Sequence, residues 1–193
     1  MGRSRAAVRR KAPHVVTHDP AHLSEIILEG LDNAWNPLLE RLAGISEDEY
    51  GWEPTASSWT VRPSADGAMV ADWEDPDPVP APVTTIAWRC WHMAVDCLDS
   101  YSARLFGATG TGLTGRDWVG TADEAQAMLG ASWATFRSGV VEWGDDGLWL
   151  PLGSAWGPYA NHSNLALALH AQREVIHHGA EIALLRDLYA ART

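Results

Sequence analysis

The side chains best placed to do chemistry lie in one run near the C-terminal end, HAQREVIHHGAEI, residues 170–182. Around it the apolar residues recur at steps of three and four, so the run reads as a helix. Glu174 taken as the zero of a helical wheel puts Leu167 and Leu185 at about +20° and Leu188 at about −40°. His178 falls at about +40°, His170 at about −40° and His177 at about −60°. A carboxylate and several imidazoles thus share the leucine face. A buried carboxylate without a partner costs several kcal/mol, and a cation is the simplest compensation. Glu174 and His178 stand one turn apart, the spacing at which two side chains grip one metal ion.

A third ligand is offered by His92, set among Trp88, Trp91, Met93 and Val95, with Asp96 one turn further on. His92, Glu174 and His178 make a facial triad that leaves coordination positions open for water or substrate. Cys90 and Cys97 fall about 160° and 140° from His92 on an ideal wheel, which makes them poor ligands for the same ion and assigns them to the core. They are seven residues apart, about 10 Å along a helix, too far for a disulfide.

Other assignments compete for the same side chains. Glu174 and His178 could form a buried hydrogen-bonded pair, or a salt link to Arg89 or Arg173, without any ion. His170 or His177 could replace a chosen ligand. Glu174 to His177 has the Glu-x-x-His spacing of di-iron bundles, but such a site needs the motif twice and the chain holds one copy. His14, His18 and His22 look like a ligand comb, which Pro20 breaks.

The elements that must position these groups follow from periodicity and breakers. Asp19 and Pro20 open helix 1, whose stripe Leu23, Ile26, Ile27, Leu31, Ala34, Trp35, Leu38 and Leu42 ends near Gly44, with a kink expected at Pro37. Residues 45–83 carry six prolines and form a long connection without credible strands. Helix 2 spans 84–106 behind a Thr84 or Thr85 cap, and Gly107 stops it. Thr121 to Glu124 is a capping box opening helix 3, which Gly144 ends near Trp143. Ser163 caps helix 4, residues 164–191. The expected fold is all-α, a four-helix bundle with a long crossover connection between helices 1 and 2. Residues 1–18 are expected to be a basic flexible tail, and 19–193 one domain.

With 46% apolar and 20% charged residues and no apolar run near membrane length, the chain is neither disordered nor membrane-spanning. Residues 1–12 hold five basic groups and no acid, so the remainder carries nine basic against twenty-five acidic residues. So acidic a body repels phosphate backbones, which excludes nucleic acid as a main partner. The expected location is the cytoplasm, from reduced thiols and the lack of a legible export signal. A bundle with exposed tryptophans is also able to form a homodimer.

The pieces WEP (52–54) and SWTVR (58–62), the run TIAWRCWH ending at His92, and HAQREVIHHGAEI resemble the DinB-like superfamily over most of residues 20–190. That resemblance implies a metal-binding four-helix bundle, in a group that includes thiol transferases and mycothiol-dependent maleylpyruvate isomerases. It implies one His from the second helix and two ligands four apart from the last, here His92, Glu174 and His178. Sliding the match by one residue would pair His177 with Arg173, a non-ligand. It further implies Zn²⁺ or Ni²⁺, a small thiol such as mycothiol or bacillithiol, and an electrophilic substrate. The activity so implied is S-transfer or isomerisation; the alternative is a non-catalytic stress-response module that binds metal or a small molecule.

Overall fold

The computed structural model describes residues 23–192. The expected tail, the Asp19 cap and the His14, His18, His22 comb lie outside them. Helix α1 (Leu23–Leu42) turns Leu31, Ala34, Trp35, Leu38 and Leu42 inward and continues through Pro37. The N–H of Ser24 donates to Asp145 Oδ1 at 2.7 Å, which satisfies one of the free donors of the first turn.

The crossover is more ordered than its prolines suggest. Ser46 caps a single turn, α2 (Glu47–Tyr50), and the connection contains two strands where none was expected. Strands β1 (Val61–Pro63) and β2 (Met69–Ala71) pair antiparallel, Arg62 opposite Val70. Gly67 takes φ 88° at the turn between them, a conformation open to glycine at little cost. The motif pieces meet in this hairpin. Arg62 donates to Glu53 Oε2 at 2.8 Å and to Asp72 Oδ2 at 3.0 Å, and the Thr85 hydroxyl reaches Thr60 Oγ1 at 2.8 Å.

The second long helix begins as α3 (Ile86–Trp91), capped by Thr85. It widens to a π-helix over His92–Asp99 and returns to α-form as α4 (Ser100–Phe106). Gly107 ends it with φ 68°. Buried Asp99, at the end of the wide segment, accepts from the N–H groups of Gly110 and Thr111 at 2.8 and 3.0 Å and so pins the following loop.

Helix α5 (Ala122–Leu148) opens with the expected Thr121 cap, whose Oγ1 accepts from the Glu124 N–H, but the Glu124 carboxylate meets the Thr121 hydroxyl at 2.8 Å, where a capping box would have it accept from the backbone N–H. Gly144 breaks it with φ 55°, ψ −168°, and one further turn follows. A 3₁₀ segment (Ser154–Tyr159) leads to α6 (Asn164–Ala191), capped by Ser163. Helices α1, α5, α6 and the α3–π–α4 rod pack as an all-α four-helix bundle. Trp35 and Trp133 stack at 4.7 Å in its core, and Phe136, Leu98 and Ile182 are fully enclosed. No described helix is long and apolar enough to cross a membrane.

Candidate metal centre

His92 owes its position to a file of tryptophans. Trp88, one turn earlier, stacks on its imidazole at 5.1 Å and 11°, and donates its indole N–H to the Asp72 carbonyl at 2.8 Å. Trp59 from the crossover packs on Trp88 at 5.7 Å, and Trp73 meets Trp91 at 6.0 Å. These aromatics cover the ring and link the hairpin to the centre of the bundle.

Facing His92 across the bundle are Glu174 and His178 of α6. Glu174 Oε2 lies 3.8 Å from His92 Nε2 and 3.1 Å from His178 Nε2, and the two rings stand perpendicular with centroids 4.7 Å apart. The other nitrogen of each ring also meets a carboxylate. His178 Nδ1 is 2.7 Å from Glu181 Oε2, and His92 Nδ1 is 3.0 Å from Asp96 Oδ2. The second contact is an ion-pair distance without hydrogen-bond alignment. A carboxylate behind each imidazole, with the far nitrogen free to face a common point, is how metal-bound histidines are oriented.

Of the two salt links foreseen as competitors, the one from Arg173 is present, at 3.2 Å from Glu174 Oε1. Arg89 pairs instead with Glu181 at 2.9 Å, and lies 3.2 Å from His178 Nδ1. His170 Nε2 is 3.6 Å from Glu174 Oε1, and exposed His177 stacks on His178 while its Nε2 is 3.4 Å from Glu181.

Cys97 departs from the wheel. Its Sγ lies 3.6 Å from His92 Nε2, not on the far side of the helix. The reason is the π-helix: its i→i+5 bonding brings residues five apart onto one face, whereas an α-helix would rotate Cys97 by about 140°. No periodicity count reveals such a bulge beforehand. Cys90, fully buried, stays in the core as expected, where burial alone pushes its thiol up to about 12.

Among the described residues two sets of donors come within 4.8 Å of one another: His92, Cys97 and Glu174, and Glu174 with His177 and His178. Glu174 belongs to both. Neither set holds His92 and His178 together: Glu174 joins His92 with Cys97 on one side and His178 with His177 on the other.

Electrostatics sets the charge state of each donor. Burial favours neutral His92, but Asp96 and Cys97 outweigh it and lift the ring to about 10. Burial also works against charge on Glu174, yet Arg173, His170 and His178 hold its carboxyl below the usual range. His178 is different: burial keeps it below the ordinary imidazole value in spite of Glu181. A neutral ring has one N–H, while His178 has carboxylate oxygens at both nitrogens. With Nε2–H turned to Glu174, the Nδ1 lone pair meets Glu181 at 2.7 Å and an N–H of Arg89 at 3.2 Å, so the guanidinium offsets part of that repulsion. A cation between Nε2 and Glu174 would let Nδ1 donate to Glu181 instead. The spacing fits too, since bond lengths of a tetrahedral zinc site place N and O donors about 3.4 Å apart and N and S donors about 3.6 Å apart. Glu174 with the donors of either set fits a divalent metal.

A family model for the DinB superfamily matches residues 31–182. The chain belongs to the DinB superfamily. That superfamily is generally metal-binding, in keeping with this donor set. Among solved structures the chain is similar to the "conserved protein of locus from Enterococcus faecalis", with a TM-score of 0.53 and 16% identity over 88% of this chain and 98% of that one. This likeness shows the fold alone. No curated protein matches the sequence.

Proposed function

We propose that this DinB protein binds one divalent cation through His92, Glu174 and His178 and serves as a thiol S-transferase or isomerase. Its partners are a small thiol, such as mycothiol or bacillithiol, and an electrophile. The carrying observation is that two imidazoles backed by carboxylates turn Nε2 toward one shared carboxylate, Glu174. When bound, Zn²⁺ or Ni²⁺ would lower the pKa of a thiol that reached it and hold it as a thiolate at neutral pH.

The chain's own residues prepare the place. Glu181, 2.7 Å from His178 Nδ1, would accept the proton there once Nε2 ligates, and Asp96, 3.0 Å from His92 Nδ1 without hydrogen-bond alignment, favours a proton on that nitrogen by charge alone. Trp88 shields one face of His92 from water. Arg89 balances Glu181, so the outer carboxylate does not add uncompensated negative charge beside Glu174. Three protein donors leave an open position for the thiol.

The test is metal content of protein purified without a histidine tag, with turnover of a thiol and a panel of electrophiles. Wild type is expected to hold about one divalent ion per chain and Glu174→Gln to hold much less, with turnover lost in His92→Ala. Absence of metal from wild type after loading overturns the reading.

Cys97 favours a second reading. A fourth protein donor would close the site, and closed tetrahedral sites are structural, which suits a non-catalytic module. Cobalt separates the two, because a thiolate ligand gives Co²⁺ an intense near-ultraviolet band. The open-site reading expects that band to appear only when an external thiol is added. A band present without it, and absent in Cys97→Ala, decides for the closed site.

A further inference from the structure

Beside the candidate centre lies a cleft of about 850 Å³, between α4, the 3₁₀ segment and the first half of α6. That volume suits a small molecule. Its charge runs against the rest of the protein: in a chain of net charge −11, its lining includes Arg104, Arg173, His162 and His170, and no Asp or Glu. Its walls are aromatic, formed by Tyr101, Trp156 and Tyr159.

The two arginines are not equivalent. Arg173 spends part of its charge on Glu174 at 3.2 Å. Arg104 lies over the Trp156 ring at 5.1 Å, and among the described residues no carboxylate pairs with it. A guanidinium over an indole keeps N–H groups for bidentate contact with a carboxylate or sulfonate. The Trp156 indole N–H, in the same wall, also has no hydrogen-bond partner. The cleft reaches the candidate centre: Tyr101 packs on His170 at 5.8 Å, and His170 Nε2 is 3.6 Å from Glu174.

We propose that this cleft binds an organic anion, a carboxylate or sulfonate carried on a flat unsaturated body, with Arg104 as its anchor and Arg173 as a second contact. Assigning that anion as the electrophilic substrate rests on the transferase reading. The binding itself does not. A flat body fills the space between Trp156 and the tyrosines, and the acidic surface outside disfavours anions that lack it.

Calorimetric titration of the full chain tests this with 2-naphthoate, its neutral counterpart 2-naphthalenemethanol, and butyrate. Each is run on metal-loaded and on chelator-treated protein. Naphthoate is expected to bind about tenfold tighter than the alcohol, and butyrate more weakly than naphthoate. Arg104→Ala should lose about tenfold for naphthoate and nothing for the alcohol, with Arg104→Lys between. Arg104 is exposed, so these variants keep the fold, which circular dichroism checks. Equal affinity for naphthoate and the alcohol, or no effect of Arg104→Ala, overturns the proposal. Naphthoate binding that survives chelation supports the cleft whether or not the metal reading holds, so the two fail separately.

Discussion

At the scale of single residues, the carboxylates behind the imidazoles matter as much as the proposed ligands. Asp96 is exposed and forms an ion pair with His92, so Asp96→Asn removes the support of His92 without opening the core. Divalent-ion affinity is expected to fall about tenfold, as for other partners that orient a ligand, and the melting temperature of metal-free protein at neutral pH to fall slightly, because the raised His92 loses its counter-ion. A chelator competition measures the first and a thermal melt the second. Glu181 is a less clean probe, because Glu181→Gln also strips the partly buried Arg89 of its partner. A second prediction sits on α1. Asp32 accepts two bonds from Arg137, both at 2.7 Å, and that guanidinium holds its carboxyl below the usual range. A depressed folded pKa stabilises above the unfolded value and ceases to do so as pH falls through the folded one. Both side chains are about one-third exposed, so the pair contributes about 0.5 kcal/mol. Asp32→Asn should therefore be slightly less stable in urea at neutral pH, and the gap should close at about pH 2; a gap that persists there refutes the linkage.

At the scale of elements, what could be read from sequence depended on helical regularity. Helix α6 is α-form throughout, so the wheel carries over for His178, Leu167 and Leu185, which are buried together, whereas Leu188 and His177, placed at the edge of the same face, are exposed. The same arithmetic failed on the second rod, where the wide turn over His92–Asp99 moved Cys97 beside His92. The β1–β2 hairpin was hidden by the prolines around it. Its signal was present in Asp66-Gly67, a turn dipeptide between Val61-Arg62 and Met69-Val70, which the proline count overrode. The 3₁₀ segment that walls the cleft carries no periodic pattern, so neither Arg104 nor Trp156 could be tied to it beforehand. Close packing makes its own prediction. A Cβ on Gly139 would lie 2.1 Å from the Phe106 ring, so α4 and α5 approach as they do because residue 139 has no side chain. Gly139→Ala gains helix propensity but must displace that ring, and a net loss of about 1–3 kcal/mol is expected. Urea denaturation of Gly139→Ala beside Gly139→Ala/Phe106→Leu checks it: partial recovery in the double variant identifies the clash, and no recovery refutes it.

At the scale of the molecule, the bundle and the candidate centre are separable in energy. The core is built from Leu31, Trp35, Leu98, Phe136, Val140 and Ile182, with the Trp35–Trp133 stack across it, and none of these needs an ion. The proposed donors tie the second rod to α6, elements already in contact through apolar side chains. Removing metal should therefore leave the helices formed, unlike small domains whose fold is the metal site. What remains is the ordinary linkage of a ligand that binds the folded chain: free metal at about 100 times its Kd adds about 2.7 kcal/mol. Far-ultraviolet circular dichroism should be the same with and without chelator, while the melting temperature rises with the logarithm of free Zn²⁺ concentration. That rise should vanish in Glu174→Gln, because Glu174 is the one carboxylate that both donor sets share. Loss of helix on chelation would instead make the ion part of the scaffold, and would move Cys97 from a neighbour of the site to a member of it.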